Sequence, residues 1–140
     1  MSGFFNRLLS LFTAALALIG IASQAHADTL WDHNGSVMRL VSDGSYRAFY
    51  YYQPREALRA SGVEPGTLLF EGSRDGYLYS GDARVFSRYC PDTPLVYWVN
   101  GDVVSETEVV MYGTREVYSQ CQPTGRYTTD TLVFTYLRRL

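Results

Sequence analysis

Along most of the chain, apolar and polar positions alternate in short runs broken by glycine-bearing turns. Such a two-residue period places apolar side chains on one face of an extended segment, and its repetition at short intervals predicts an all-β domain. The first strand is expected over 36–41, with Met38 and Leu40 on one face and Val37, Arg39 and Val41 on the other. Residues 31–36 (Trp31-Asp32-His33-Asn34-Gly35-Ser36) read as turn chemistry leading into it. Asp43-Gly44 is a hairpin signal, because glycine takes a positive φ at no steric cost. The second strand, 46–53, sets Tyr50 and Tyr52 on one face and Phe49 and Tyr51 on the other. Pro54 ends it, and residues 54–62 form a short helical piece closed by Gly62, with Leu58 facing inward to plug one end.

Further strands are expected over 67–71, 77–89, 95–99, 108–118 and 131–137, with turns at Asp75-Gly76, Asn100-Gly101 and 122–125. Gly81 and Gly113 fall inside these runs and predict bends or bulges where a wall must curve. Seven or eight strands joined as neighbouring hairpins point to a small antiparallel meander β-barrel of calycin-like form, or to a sandwich.

The first 27 residues follow a different pattern. A short n-region with Arg7 precedes an apolar run over 8–22, and Ala25-His26-Ala27 supplies small residues at both positions a signal peptidase reads. The run is about 15 residues, short of the roughly 20 that a spanning helix needs. The chain therefore reads as a signal peptide, 1–27, followed by one domain, 28–140, with no membrane span after cleavage. Its destination is the periplasm or the medium.

Composition sharpens this picture. All 12 basic residues are arginine, and none is lysine. Without Arg7, 11 basic and 14 acidic side chains leave the mature chain at −3, with arginines scattered along it. That distribution offers no basic patch for nucleic acid. Two cysteines, Cys90 and Cys121, behind an export signal predict one structural disulfide.

Candidate chemistry is sparse. Asp32, His33 and Ser36 suggest a catalytic triad. Neighbours in an extended chain point to opposite sides, however, so Asp32 cannot orient His33 as a triad acid orients its base. A local turn, with Asp32 and Asn34 bonding nearby backbone and Gly35 at a special φ/ψ, is the plainer reading. One histidine in the mature chain, and carboxylates Asp75, Asp82, Asp92 and Asp102 set singly near turns, do not make a metal site. Glu106 and Glu108 share a face if extended, without a cleft to span. There is no phosphate-cradling glycine loop, nucleophile elbow or dinucleotide fingerprint, and no cofactor is expected. The twelve tyrosines, with Trp31 and Trp98, could stack on a ligand or simply fill a small β core.

The run Trp31 to Leu40, then Tyr52-x-Pro54-Arg55 and Gly62-Val63-x-Pro65-Gly66-Thr67-Leu68-Leu69-Phe70-x-Gly72, resembles small exported bacterial β-domain proteins of unknown function. The resemblance continues through Ala83-Arg84-Val85-Phe86, Cys90 and Asp130-Thr131-Leu132-Val133-Phe134. Similar modules are appended to caspase-like peptidases, which implies an accessory or recognition role. The opening strand also resembles that of avidin-type barrels, which would carry a ligand contact over to Ser36 and another near Asp32. The distal tryptophans and closing aspartate of avidins have no counterpart here.

The function expected is thus an exported binding or interaction domain without catalytic activity. Its binding residues would come from Trp31, Asp32, His33, Ser36, Tyr50, Tyr52 and Trp98. Its partner would be a small molecule, an envelope glycan or an envelope protein. Alternatives are a cell-envelope hydrolase or transferase using carboxylates at the barrel mouth, and a purely structural envelope protein. The enzyme reading requires at least two of Asp32, His33, Glu71, Asp75 and Glu106 to converge in a cleft.

Overall fold

The computed structural model describes residues 28–140, and the signal peptide expected over 1–27 lies outside the described residues. Eight strands follow in order: β1 (Thr29–His33), β2 (Ser36–Asp43), β3 (Tyr46–Gln53), β4 (Leu68–Asp75), β5 (Leu78–Val85), β6 (Leu95–Ser105), β7 (Glu108–Ser119) and β8 (Gln122–Arg139). Each pairs antiparallel with the next, and β1 closes on β8 through Asp32 opposite Thr135 and Trp31 opposite Tyr136. The result is a closed meander barrel, the first of the two architectures expected from the alternation. Closure gives each of the eight strands a neighbour on both sides, so none is an edge strand of the sheet.

Several boundaries differ from the sequence expectation. Residues 29–33 form a strand, and the turn shrinks to Asn34-Gly35, where both residues take positive φ (50° and 83°) as a tight two-residue hairpin demands. The helical piece is a 3₁₀ helix, Glu56–Ser61, capped by Gly62 at φ 81°, and Leu58 packs against the core as expected. The fourth expected strand stops at Val85 instead of running to Tyr89. At the far end of the chain, the last hairpin turns at Gln120-Cys121, both with positive φ, so 122–125 belong to β8.

Asn100-Gly101 is not a turn. Gly101 sits mid-strand opposite Met111, and a Cβ there would strike the Val110 carbonyl. Gly72 and Gly81 face each other across β4 and β5 in the same way, each leaving no room for a Cβ against the other strand's backbone. These are close approaches that let a tightly coiled wall bend.

The interior is filled. Met38, Phe49, Phe70, Ala83, Val99, Met111 and Phe134 are fully buried. The rings of Phe49 and Phe134 stack at 3.9 Å between centroids and 9° between planes. His33 stacks on Phe134 at 4.5 Å and 15°. Three rings from β1, β8 and β3 thus lie parallel across the barrel, with Trp31 set edge-on to Phe49 at 6.1 Å.

Candidate functional site

The connections β1–β2, β3–β4, β5–β6 and β7–β8 all lie at one end of the barrel. Two of them are long, and one holds the 3₁₀ helix. The disulfide Cys90–Cys121, with Cα atoms 5.8 Å apart, ties the β5–β6 connection to the β7–β8 turn at this end. A cavity of about 370 Å³ opens here. His33 and Ser36, opposite each other on β1 and β2, both line it.

His33 is almost wholly buried. Its Nδ1 lies 2.9 Å from the carbonyl oxygen of Val133, and since a carbonyl can only accept, Nδ1 carries the proton. Burial pushes its pKa below the ordinary imidazole value; the Val133 hydrogen bond and the Asp32 carboxylate oppose that shift, and the Arg55 charge adds to it. The ring is therefore neutral near pH 7. The Ser36 hydroxyl oxygen accepts the Arg55 backbone N–H at 3.0 Å and so pins the start of the β3–β4 connection.

The opposite wall is built around Gly113. A Cβ there would meet the Tyr97 ring at 2.9 Å, so the missing side chain makes the space in which that ring lies. Tyr97 thereby reaches β8, where its hydroxyl donates to Asp130 Oδ2 at 2.8 Å. Arg115 Nε donates to the same oxygen at 2.5 Å, and its guanidinium lies 6.0 Å from the Tyr97 ring. Burial, and then the Asp130 hydrogen bond, push the Tyr97 hydroxyl well above the usual phenol range. Burial pushes Tyr51 up to about 12, and its ring meets Phe86 edge-on at 6.0 Å.

Arg55, Arg84 and Arg115 are among the residues lining this cavity, but Arg84, between inward-facing Ala83 and Val85 and opposite the exposed Val96, turns its guanidinium to Glu71 on the outer wall. Arg115 is paired with Asp130. Arg84 makes a long contact to Glu71, 3.4 Å, and its Nη1 is buried without a partner. Arg55 forms no ion pair among the described residues. Asp130 is the one carboxylate among the lining residues, so Arg55, Arg115 and Asp130 leave the cavity at a formal +1 when His33 is neutral. The apolar part of the lining includes Leu58, Leu69, Phe86 and Leu132.

The seven residues expected at a binding site do not come together. His33 and Ser36 line the mouth, while Asp32, between two inward-facing neighbours, points away from it. Trp31 is a core residue, its Nε1 donating to Thr29 Oγ1 at 2.8 Å. Tyr50 and Tyr52 lie on the outer wall of β3 beside Arg39 and Val41, and Trp98 is exposed on the outer wall of β6. No two of Asp32, His33, Glu71, Asp75 and Glu106 line this cavity; Glu106 lies beside a separate hollow at the other end of the barrel. Among the described residues, no three His, Cys, Asp or Glu side chains converge as a metal would require, and no helix is long and apolar enough to cross a membrane.

Arg55, Arg84, Tyr97, Arg115 and Asp130 were not singled out by sequence. A signal did exist for two of them. Arg115 shares its parity with Val109 and Met111, and Asp130 shares its parity with Leu132 and Phe134, so each is a charge at an inward position.

Comparison with protein families, with curated proteins and with solved structures finds no match.

Proposed function

We propose that the protein is an exported binding domain, periplasmic or secreted, that holds a small molecule in the open end of its barrel without transforming it. One observation carries this reading. The His33–Phe134–Phe49 stack fills the middle of the barrel, and the cavity of about 370 Å³ opens on the His33 side of that stack. Its volume and its mixture of apolar walls with a few polar groups suit a small-molecule site.

Export is supported by the leader pattern over 1–27 and by the Cys90–Cys121 bridge, since such bridges persist in oxidising compartments.

A thermal-shift screen of the oxidised protein against organic acids, their neutral amides, glycans, biotin-like heterocycles and divalent metals tests the binding reading. A ligand present at a hundredfold excess over its Kd adds about 2.7 kcal/mol to native stability. One compound class should raise the melting temperature. No shift with any class would move the function to a protein partner or a structural role. N-terminal sequencing of exported protein tests the leader separately, with Asp28 expected as the first residue.

A further inference from the structure

We propose that the ligand of this cavity is a small organic anion, with an oxyanion head between Arg55 and Arg115 and a compact apolar body against Tyr51, Leu58 and Phe86. This inference rests on the binding reading above and names the class of molecule bound.

The charge balance supplies the first argument. The chain as a whole is acidic, yet the charged side chains turned to this cavity are two arginines, Arg55 and Arg115, and one carboxylate, Asp130. Arginine offers donors and no acceptor and does not lose its proton near neutral pH. A neutral apolar guest would therefore strip water from these cations and return nothing, which is costly. An oxyanion returns both charge and acceptors, and a guanidinium can meet a carboxylate or phosphate with two parallel hydrogen bonds.

The two arginines differ in how far they are already satisfied. Arg115 is committed to Asp130 through Nε, and that pair fixes its orientation beside Tyr97. Arg55 is exposed and has no acidic partner among the described residues, while its backbone is held by Ser36. It lines the same cavity as His33 and Tyr51. Arg55 is thus the free cation and Arg115 the pre-positioned one.

Size supplies the second argument. About 370 Å³ lies near the lower end of the range for small-molecule pockets. A single ring or a short chain fits, and an oligosaccharide or a peptide does not. The Tyr51–Phe86 edge-to-face pair gives a flat apolar body a surface to lie on.

The test is isothermal titration of the oxidised protein, at low and at high salt. The probes are benzoate, phenylacetate, hexanoate and phenyl phosphate, each matched by its neutral amide or alcohol, with phenethylamine as the cation. At least one acid should bind, its neutral counterpart should bind at least tenfold more weakly, and added salt should weaken the acid. The carboxylate and phosphate arms decide which head is preferred. Arg55→Gln should weaken the acids by roughly tenfold, the scale of one lost charge-assisted hydrogen bond. It should leave the melting temperature of the free protein unchanged, because the Ser36 contact is to the backbone. Neutral or cationic probes binding as tightly as the acids would overturn the inference and leave the binding reading standing. No heat from any acid would also overturn it, and silence across the broader screen is what would sink the binding reading itself.

Discussion

His33 lies face to face with Phe134, 4.5 Å between ring centroids and 15° between planes, while its Nδ1–H is bonded at 2.9 Å to the carbonyl of Val133, the residue before that same phenylalanine. One residue of β1 is therefore bound twice to β8, across the seam that closes the barrel. His33 also lines the mouth cavity, and its flat face continues the aromatic packing of the core.

This arrangement sets a pH dependence of stability. The fold depresses the His33 pKa, chiefly by burial, below the ordinary value of 6.5. The unfolded chain, titrating near that ordinary value, therefore binds more protons than the native protein as pH falls below about 6.5. The stabilisation from a neutral buried ring is complete above that pH and is lost as pH falls toward the folded-state value. The slope cannot exceed about 1.4 kcal/mol per pH unit for one group. His33 is the sole histidine among the described residues. Urea denaturation at pH 5, 6, 7 and 8 should show stability falling over the acidic half, and His33→Phe should flatten that fall. An equal slope in the variant would assign the effect elsewhere.

The barrel was legible because its strands obey a two-residue period over most of their length, as in Met38-x-Leu40 and Phe49-x-Tyr51. What failed locally was the reading of glycine. Asn100-Gly101 carries the same letters as the true turn Asn34-Gly35, yet one is a close approach in mid-strand and the other a hairpin at positive φ. Tertiary crowding by Val110 distinguishes them, and no local pattern contains it. The site was half legible for a related reason. Reading outward from His33 and Ser36 found two lining residues, but their partners arrive from β5, β6, β7 and β8, brought there by closure of the barrel.

The two glycines separate in a direct comparison. Gly35→Ala places a Cβ in open space and must only bear a left-handed backbone, roughly 1–2 kcal/mol. Gly101→Ala drives a Cβ into the Val110 carbonyl and forces β6 away from β7. Chemical denaturation should find Gly101→Ala the more damaging of the two, by 1 kcal/mol or more on the scale of overpacking. The opposite ranking would mean that the strands are not so closely apposed at Met111.

The Cys90–Cys121 bridge closes a segment with a sequence separation of 31 residues, for which the chain-entropy account gives roughly 3–4 kcal/mol. It also joins two connections that border the mouth cavity at Val85 and Arg115. Replacing both cysteines by alanine should lower the unfolding free energy by that order, measured in urea. It should weaken binding at the mouth more than a comparable destabilisation at the other end does. Identical unfolding curves for the variant and the oxidised protein would show the bridge to be idle.

Asp130 is the acceptor on which the wall of the cavity converges, taking the Tyr97 hydroxyl at 2.8 Å and the Arg115 Nε at 2.5 Å on one oxygen. Both members of the ion pair are mostly buried, with side chains 19% and 27% exposed, so the pair is less screened than a surface bridge. Asp130→Asn keeps the shape but removes the charge that holds Arg115 in place. Charge-assisted hydrogen bonds of this kind are worth about 2 kcal/mol net. The variant should lose stability on that scale, and Tyr97→Phe, which removes one neutral donor and leaves the ion pair intact, should lose less. The Tyr97 phenol, pushed up chiefly by burial and then by the carboxylate, should also titrate closer to the ordinary phenol range once the charge is gone. Ultraviolet titration of the two forms reads this directly. If the alkaline tyrosine transitions of the Asp130→Asn protein superimpose on those of the parent, Asp130 does not govern Tyr97, and the wall of the mouth is held by packing alone.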